Sequence, residues 1–449
     1  HAPPEAVGTN TNVNTQRAFL TTLKPLLALF LLLIQSLATA EDGIETAIKD
    51  FISSGKPTIQ LRYRFEHVDD ELVPANDAAS SILRAAIGYE TGEWNGVSVY
   101  AEMEHLAQLF TDDYREGGFD TAKAGLYPIV ADPPGTELNR AWVRFTGIKP
   151  LDIKVGRQYI LFRKAPFHRF MGNVIWRQNH QSFDAIRFDA KPIEGARVTG
   201  AYINKVQRIF GDDAPGAAGE FECDCYVFNA QYGGFKYVKL EAYSYLLDIE
   251  NSTANALDTY GARANGAIPL SETFKFIYAG EFATQSDASS NAIDVDVDYY
   301  LAEVGLGIKV GQPFLGNLVL KFDYELLEGD GTFGFRTPLA TAHAFQGWAD
   351  RFLTTPADGI EDIYITAIAS GVFGGKFIFS YHMLDSDNLS YEYGDEINVL
   401  YARKFNKHFT VGTKAAIYSA DKNATSLARA GGVQNNDVTK VWVWLQFDY

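Results

Sequence analysis

From residue 58 to its last residue the chain alternates apolar and polar side chains at period two. The stretch TIQLRYRFEHV (58–68) puts Ile59, Leu61, Tyr63 and Phe65 on one face and Gln60, Arg62, Arg64 and Glu66 on the other. ILRAAIGYE (82–90) sets Leu83, Ala85, Ile87 and Tyr89 opposite Arg84, Gly88 and Glu90. Similar segments at 97–104, 140–146, 153–158, 185–189, 198–203, 226–232, 238–246, 259–265, 274–282 and 300–308 follow. Those at 318–326, 363–369, 377–383, 397–401, 409–417 and 441–449 complete the series, which predicts about 18 strands. The last, KVWVWLQFDY (440–449), is patterned to its final aromatic, whereas chain ends usually fray. A sheet that closes on itself has use for such an end, because its last strand must pair with its first.

The connections select the class. Short ones at 91–96, 147–150, 190–196, 233–236, 371–375 and 406–408 alternate with long ones. The long ones are 67–80, 105–137, 159–181, 205–225, 283–297, 328–361 and 419–438. Short turns at one end and long loops at the other are the habit of a transmembrane barrel, and a soluble β-sandwich has no reason to keep it. The fold expected is all-β, an antiparallel up-and-down transmembrane barrel of about 18 strands over residues 58–449.

The first forty residues follow another pattern. Arg17 and Lys24 precede the apolar run 26–34, and Ala38-Thr39-Ala40 follows, which reads as a secretory signal peptide over 1–40 with a mature start at Glu41. Residues 41–57 form a short N-terminal segment, expected in the periplasm, with Ile44, Ala47, Ile48 and Phe51 at helical spacing.

Composition sharpens this picture at three points. Aromatics make up 14% of the chain, including 24 Tyr and 31 Phe, which suits strands with aromatic girdles at the membrane surfaces. The net charge of −17 argues against nucleic acid as a partner. Only two cysteines occur, Cys223 and Cys225; a bridge between them would be strained, and they read as a loop feature.

The segments LRYRFEHVDD (61–70), SSILRAAIGYETGEW (80–94), VGRQ (155–158) and FMGNVIWRQNHQSFDAIRF (170–188) are similar to those of the alginate-export-type porins of bacterial outer membranes. So are TYGA (259–262), DYYLAEVGLG (298–307) and RTPLATAHAFQGWADRFLTTPADGIEDIYI (336–365). The resemblance spans nearly the whole mature chain. It implies an 18-stranded barrel in the bacterial outer membrane with an arginine-rich lumen suited to anionic saccharides. No residue specifies alginate itself.

Strand parity supplies candidate residues independently. Arg62, Arg64, Arg84, Arg140, Arg144, Lys154, Arg187 and Arg197 fall on the face opposite the apolar one. Facing hydrocarbon, an arginine at the midplane would cost about 2–4 kcal/mol, so these residues belong in the lumen. Arg157 shares the parity of Ile153 and Val155, and a bulge at Gly156 or a place at the strand end would turn it inward. Arg177 lies on a long loop able to fold into the mouth. The segment 337–353 spaces Leu339, Ala342, Phe345, Trp348 and Phe352 near helical period, for a short helix either in a constriction or on the outer rim.

Guanidinium groups fit such a pore because their planar forks match carboxylates and never deprotonate. The alternative role for each is a cross-strand salt bridge with an inward acid such as Glu66, Glu102 or Glu104. The Asp294/Asp296/Asp298 column reads as solvated loop charge before a cation site. Nucleophile-elbow, zincin and P-loop motifs are absent, and the eight His are scattered, so no catalytic residue, metal or cofactor is assigned. The function expected is diffusion of anionic saccharides or small organic anions through an arginine-lined lumen in outer-membrane lipid. The alternatives are a weakly selective general porin and a structural or adhesive barrel plugged by its loops.

Overall fold

The computed structural model describes residues 41–165, 168–423, 425, 429 and 434–449, with side chains from residue 45. The expected signal peptide lies outside them. Helix α1 (Glu41–Ser53) belongs with Thr91–Trp94 to a unit separate from the strands.

Eighteen strands follow in order: β1 (Lys56–Asp70), β2 (Ala78–Glu90), β3 (Val97–Asp113), β4 (Gly135–Phe145), β5 (Leu151–Gln158) and β6 (Ser182–Ala190). Then come β7 (Ala196–Gln207), β8 (Glu220–Tyr232), β9 (Val238–Ile249), β10 (Leu257–Pro269), β11 (Phe274–Asp287) and β12 (Asp296–Gln312). The last six are β13 (Leu315–Leu327), β14 (Ile360–Val372), β15 (Gly375–Asp385), β16 (Glu392–Lys404), β17 (Phe409–Ala420) and β18 (Val438–Asp448). Each pairs antiparallel with the next, and β18 pairs back onto β1. Closure runs to the chain end, because Ile59 and Tyr449 exchange backbone hydrogen bonds of 3.1 and 2.8 Å. No sheet edge remains, and every wall peptide can find its partner without water.

The outer face follows the alternation. Ile87, Met103, Phe228, Val304, Phe322, Ile365 and Leu445 stand exposed on it, as residues solvated by lipid do. On the inner face Arg64, Glu66, Arg84, Glu104, Lys414 and Trp442 are buried. Burial of charge on one face and exposure of hydrocarbon on the other inverts the arrangement of a soluble sandwich.

The strands outrun the apolar alternation. β1 continues through Asp69 and Asp70, and β3 through Asp112 and Asp113, so the first loop shrinks from the expected 67–80 to 71–77. Above the hydrocarbon the outer positions meet water, and the hydrophobic signal ends while backbone pairing continues. Turns at the opposite end are tight. Phe373 and Gly374 both take positive φ, 46° and 76°, and join β14 to β15 as a two-residue hairpin.

Two expectations are corrected here. Cys223 and Cys225 are not in a loop; they face inward from β8 as free, buried thiols packed with Phe221 and Val227. The positions between and beside them, Glu222 and Asp224, are charged and exposed, so the apolar outer face that marks a lipid-facing strand is missing at this end of β8. The segment 337–353 forms no helix beyond the single turn Ala342–Ala344. Its backbone reverses at Gln346, Gly347 and Asp350, all at positive φ, and no α-helix passes through such residues.

Candidate functional site in the barrel lumen

Two long loops enter the barrel, 159–181 after β5 and 328–359 after β13. Phe170 and Met171 of the first join Phe335 and Leu339 of the second in an apolar cluster with Phe221, Tyr245, Leu247 and Tyr299 of the wall. Each buried large apolar side chain contributes about 1.5–3 kcal/mol, so docking is favourable before any charge is counted. Gln181 ties the two loops together, donating to the carbonyls of Gly172 and Leu339 at 2.8 and 3.0 Å.

The arginines of β1 and β2 hold the first loop. Arg62 donates to Gln178 Oε1 at 2.5 Å, to the Ile175 carbonyl at 2.7 Å and to the Arg177 carbonyl. Arg64 reaches the Trp176 carbonyl, the Asp132 carboxylate and, at 3.1 Å, Glu66. Arg84 is bound by Glu104 and by Gln60 Oε1 at 2.5 Å. Arg177 lies on the loop itself, 3.2 Å from Glu66, 3.6 Å from Asp132 and 3.5 Å from Asp350. Burial disfavours its charge, but these three carboxylates outweigh that and raise its pKa.

Next to them in the wall, on the other side of β1, β17 and β18 hold the second loop. The Lys414 ammonium sits 4.1 Å from the Trp176 ring centre, 3.7 Å from Trp348 and 5.3 Å from Trp442. His343 Nε2 lies 2.6 Å from Lys414 Nζ, and its Nδ1 lies 2.6 Å from Asp350. Lys440 closes the group at 2.9 Å from Asp350. Burial, with Lys414 and Arg177, pushes the His343 imidazole well below its ordinary pKa against the opposite pull of Asp350. Burial would raise the Asp350 carboxyl, but His343, Lys440 and Arg177 hold it well below its usual range. Gly347 is required at the turn: a Cβ there would lie 2.2 Å from Glu396 Oε2. That approach lets Glu396 accept the backbone N–H groups of Trp348 and Ala349.

A third group lines β4 to β7. Arg144, Lys154 and Arg187 stand directly opposite one another across three strands, since Arg144 pairs in register with Lys154 and Lys154 with Arg187. Asp152 binds Arg144 at 2.6 Å, and Asp189 binds both Arg187 at 2.8 Å and Arg197 at 2.7 Å. Lys154 lies 4.0 Å from the Trp142 ring centre and enters no ion pair among the described residues. Arg140 lies between the Tyr100 and Tyr159 rings and donates to Glu102 at 2.5 Å.

Arg157 does not join this row. Gly156 has φ of 115°, yet register continues through it without a bulge, so Arg157 keeps the outer parity. It donates to both oxygens of Asp184 (2.8 and 3.0 Å) and to the Leu138 carbonyl (2.9 Å). A cross-strand acid on the same face satisfies the charge that a bulge would have turned inward.

Two arginines escaped the parity argument because they lie on a loop. Arg163 donates to Glu241 at 3.0 Å and Glu281 at 2.5 Å, and Arg169 lies 3.2 Å from Glu325. The one hint was the density of basic residues in LFRKAPFHRF (161–170). Beside Arg163, toward the turn end, a cavity of about 1150 Å³ is lined by Lys164, Lys191, Arg197 and Lys239, with Glu194 and Glu241 as its acids. Lys164, Lys191 and Lys239 enter no ion pair among the described residues. No group of three or more His, Cys, Asp or Glu side chains able to hold a metal occurs among the described residues.

A closed 18-stranded antiparallel barrel with a lipid-facing apolar exterior and a charged, loop-narrowed interior is a porin-type barrel of the bacterial outer membrane. The alginate export family model matches residues 56–311, more than half of the sequence, and the chain belongs to that family. No curated protein matches the chain. Among solved structures it is similar to OccAB4 of Acinetobacter baumannii, at 12% identity and a TM-score of 0.65, over 88% of this chain and 98% of that one. OccAB2 of the same organism matches at 16% identity and a TM-score of 0.64, over 89% and 99% of the two chains. OpdK of Pseudomonas aeruginosa, solved with vanillate, matches at 11% identity and 0.64, again over 89% and 99%. At these identities the likeness is one of fold.

Proposed function

We propose that this barrel is a diffusion channel for anionic solutes, either acidic oligosaccharides or small organic carboxylates, working without cofactor or energy coupling. The observation that carries the reading is the row Arg144–Lys154–Arg187 on three adjacent strands. Like charges directly opposite one another destabilise a sheet, so such a row is a poor device for holding strands together. With Arg197 it brings four cations against two acids, Asp152 and Asp189. The surplus lies beside the lysine-lined cavity at the turn end, which extends the positive path along the lumen. The carboxylate in OpdK, a barrel of the same fold, accords with an anionic cargo.

The arginines of β1 and β2 have a different part in this reading. Arg62, Arg64, Arg84 and Arg177 position the loops that narrow the passage, while Arg140, Arg144, Lys154, Arg187 and Arg197 meet the solute. The test is a reversal-potential measurement in planar bilayers under a KCl gradient. Wild type should favour chloride, and Arg144→Gln/Lys154→Gln/Arg187→Gln should lose most of that preference while inserting normally. Cation preference in wild type, or an unchanged triple variant, would sink the reading.

The second reading is a structural barrel plugged by its own loops. It is favoured by the ion pairs that bury both loops against the wall, above all Arg177 with Glu66 and Lys440 with Asp350. Absence of any stable conductance from correctly folded protein would select it. Conductance with equal permeability to both ions would select the general porin.

A further inference from the structure

The inner faces of β14 and β15 carry a group of side chains that the charge pattern of the lumen does not use. Ser380 and His382 lie two residues apart on β15, so both point into the barrel. Asp362 lies on β14, diagonal to His382, whose direct register partner is Tyr364. His382 Nδ1 is 3.0 Å from Asp362 Oδ2, and its Nε2 is 3.2 Å from Ser380 Oγ. Tyr364 stacks on the imidazole with ring centres 4.7 Å apart and fixes its plane. Hydroxyl, Nε2, Nδ1 and carboxylate therefore stand in the order of a nucleophile, a base and a group that orients the base.

An independent feature lies on the next strand. Asn398 of β16 is directly opposite Ser380 in register. Its Oδ1 accepts the Trp348 backbone N–H at 3.3 Å, which sets the amide orientation. Its Nδ2 is buried and has no acceptor. A buried donor left unmade is costly, and here it stands beside a hydroxyl, where a developing oxyanion would need it. Ser380 is itself buried, while Thr366 and Ile378 of the same inner faces, toward the turn end, are half-buried.

We propose that Ser380, His382 and Asp362 form a hydrolytic triad for carboxylic esters that enter the lumen, with Asn398 as an oxyanion donor. Ser380 Oγ bonds to the ester carbonyl carbon as its proton passes to His382 Nε2. The bond to the alcohol oxygen then breaks, and that oxygen takes the proton from Nε2. Water adds to the acyl carbon, giving one proton to Nε2; the acyl–Oγ bond breaks, and Oγ recovers that proton. The net change is ester plus water to acid plus alcohol. Asp362 stays ionised and holds Nδ1–H throughout. Because the lumen is narrowed by both loops, the substrate is an ester with a small or slender acyl group. The site does not depend on the ion selectivity of the channel.

The test uses the folded full-length barrel in detergent micelles with diisopropyl fluorophosphate. Mass analysis should find the phosphoryl group on Ser380, with displacement of fluoride, and the rate should fall at least 100-fold in His382→Gln. Ser380→Ala, a near-isosteric change, should keep the folded gel band and lose hydrolysis of p-nitrophenyl acetate. If His382→Gln does not fold, Asp362→Asn takes its place with the same expectation. Unlabelled Ser380 in wild type, labelling that is equally fast in the variants, or full hydrolysis by Ser380→Ala would each overturn the proposal.

Discussion

Among residues, the position of a charge relative to its partners decides its role more than its identity does. Arg64 and Arg197 are both inward arginines, yet Arg64 is buried between Glu66 and Asp132, and the Arg197 side chain is 41% exposed beside a shared Asp189. Removing Arg64 leaves the buried Glu66 and Asp132 carboxylates with Arg177 as their one shared guanidinium, which costs about 3–5 kcal/mol. Removing Arg197 should cost about 1 kcal/mol or less, since solvent screens the pair and Arg187 remains. Arg64→Gln should therefore lower the urea midpoint of the reconstituted barrel markedly, and Arg197→Gln should barely move it. Equal shifts would mean that Arg64 is not part of a buried network. The same logic explains why the inward arginines of β1 and β2 are held in contacts and do not stand free in the lumen. Arg62 and Arg84 face each other in register, and only the loop carbonyls, Gln178 and Glu104 make that arrangement tolerable.

Among elements, the segment 337–353 holds a titrating contact. His343 is packed among Asp350, Lys414, Arg177 and Trp176, and its pKa in the docked loop is well below the ordinary value. A released loop would expose it to water, where it titrates near about 6.5. The released form then binds the proton more readily, so docking is fully stable above that pH and weakens as pH falls below it. Limited proteolysis within 337–353 should be faster at pH 5 than at pH 7.5, and His343→Gln should remove the difference. A pH-independent rate in wild type would contradict the sign. Strand β18 is the other critical element, since it carries both the pairs with β1 and the bonds to Tyr449. Deleting Phe447–Tyr449 should abolish the folded, heat-shifted band on gels and the recovery of protein in outer membranes. Normal insertion of the truncated chain would show that closure does not need this end.

For the whole molecule, the sum of charges and their placement point in opposite directions. The chain carries a net charge of −17, yet the row on β4 to β6 and the turn-end cavity are basic. Many of the acids are bound to lumenal arginines or stand exposed at the loop ends of strands, such as Asp112, Asp113 and Asp296. Screening length is about 30 Å at 0.01 M salt and about 8 Å at 0.15 M, so the distant loop acids fade first and the near row persists. Anion preference should therefore survive at physiological salt, and the Arg144→Gln/Lys154→Gln/Arg187→Gln variant should lose it there most clearly. Cation selectivity at low salt that fades as salt rises would assign control to the loops instead.

What the sequence determined by itself is whatever depends on neighbours one or two residues away. Period two assigned the faces of the strands, and with them the inward side of Arg62, Arg84 and Arg144, because an arginine facing hydrocarbon at the midplane costs about 2–4 kcal/mol. Alternation of short and long connections made the closed barrel legible, and the patterned end 440–449 marked its seam. What only the tertiary structure decided are contacts between distant parts of the chain. Arg62 meets Gln178 at a separation of 116 residues, and Arg351 meets Asp70 at 281. The cage around Lys414 takes Trp176, Trp348 and Trp442 from three segments, and Ser380 meets Asp362 through His382 only because β14 and β15 pair in that register. A side-chain pattern records the solvent on each face of a strand. It carries no record of where a loop of twenty or thirty residues turns once the wall has closed, since that path is set by the shape and charge of the space left inside.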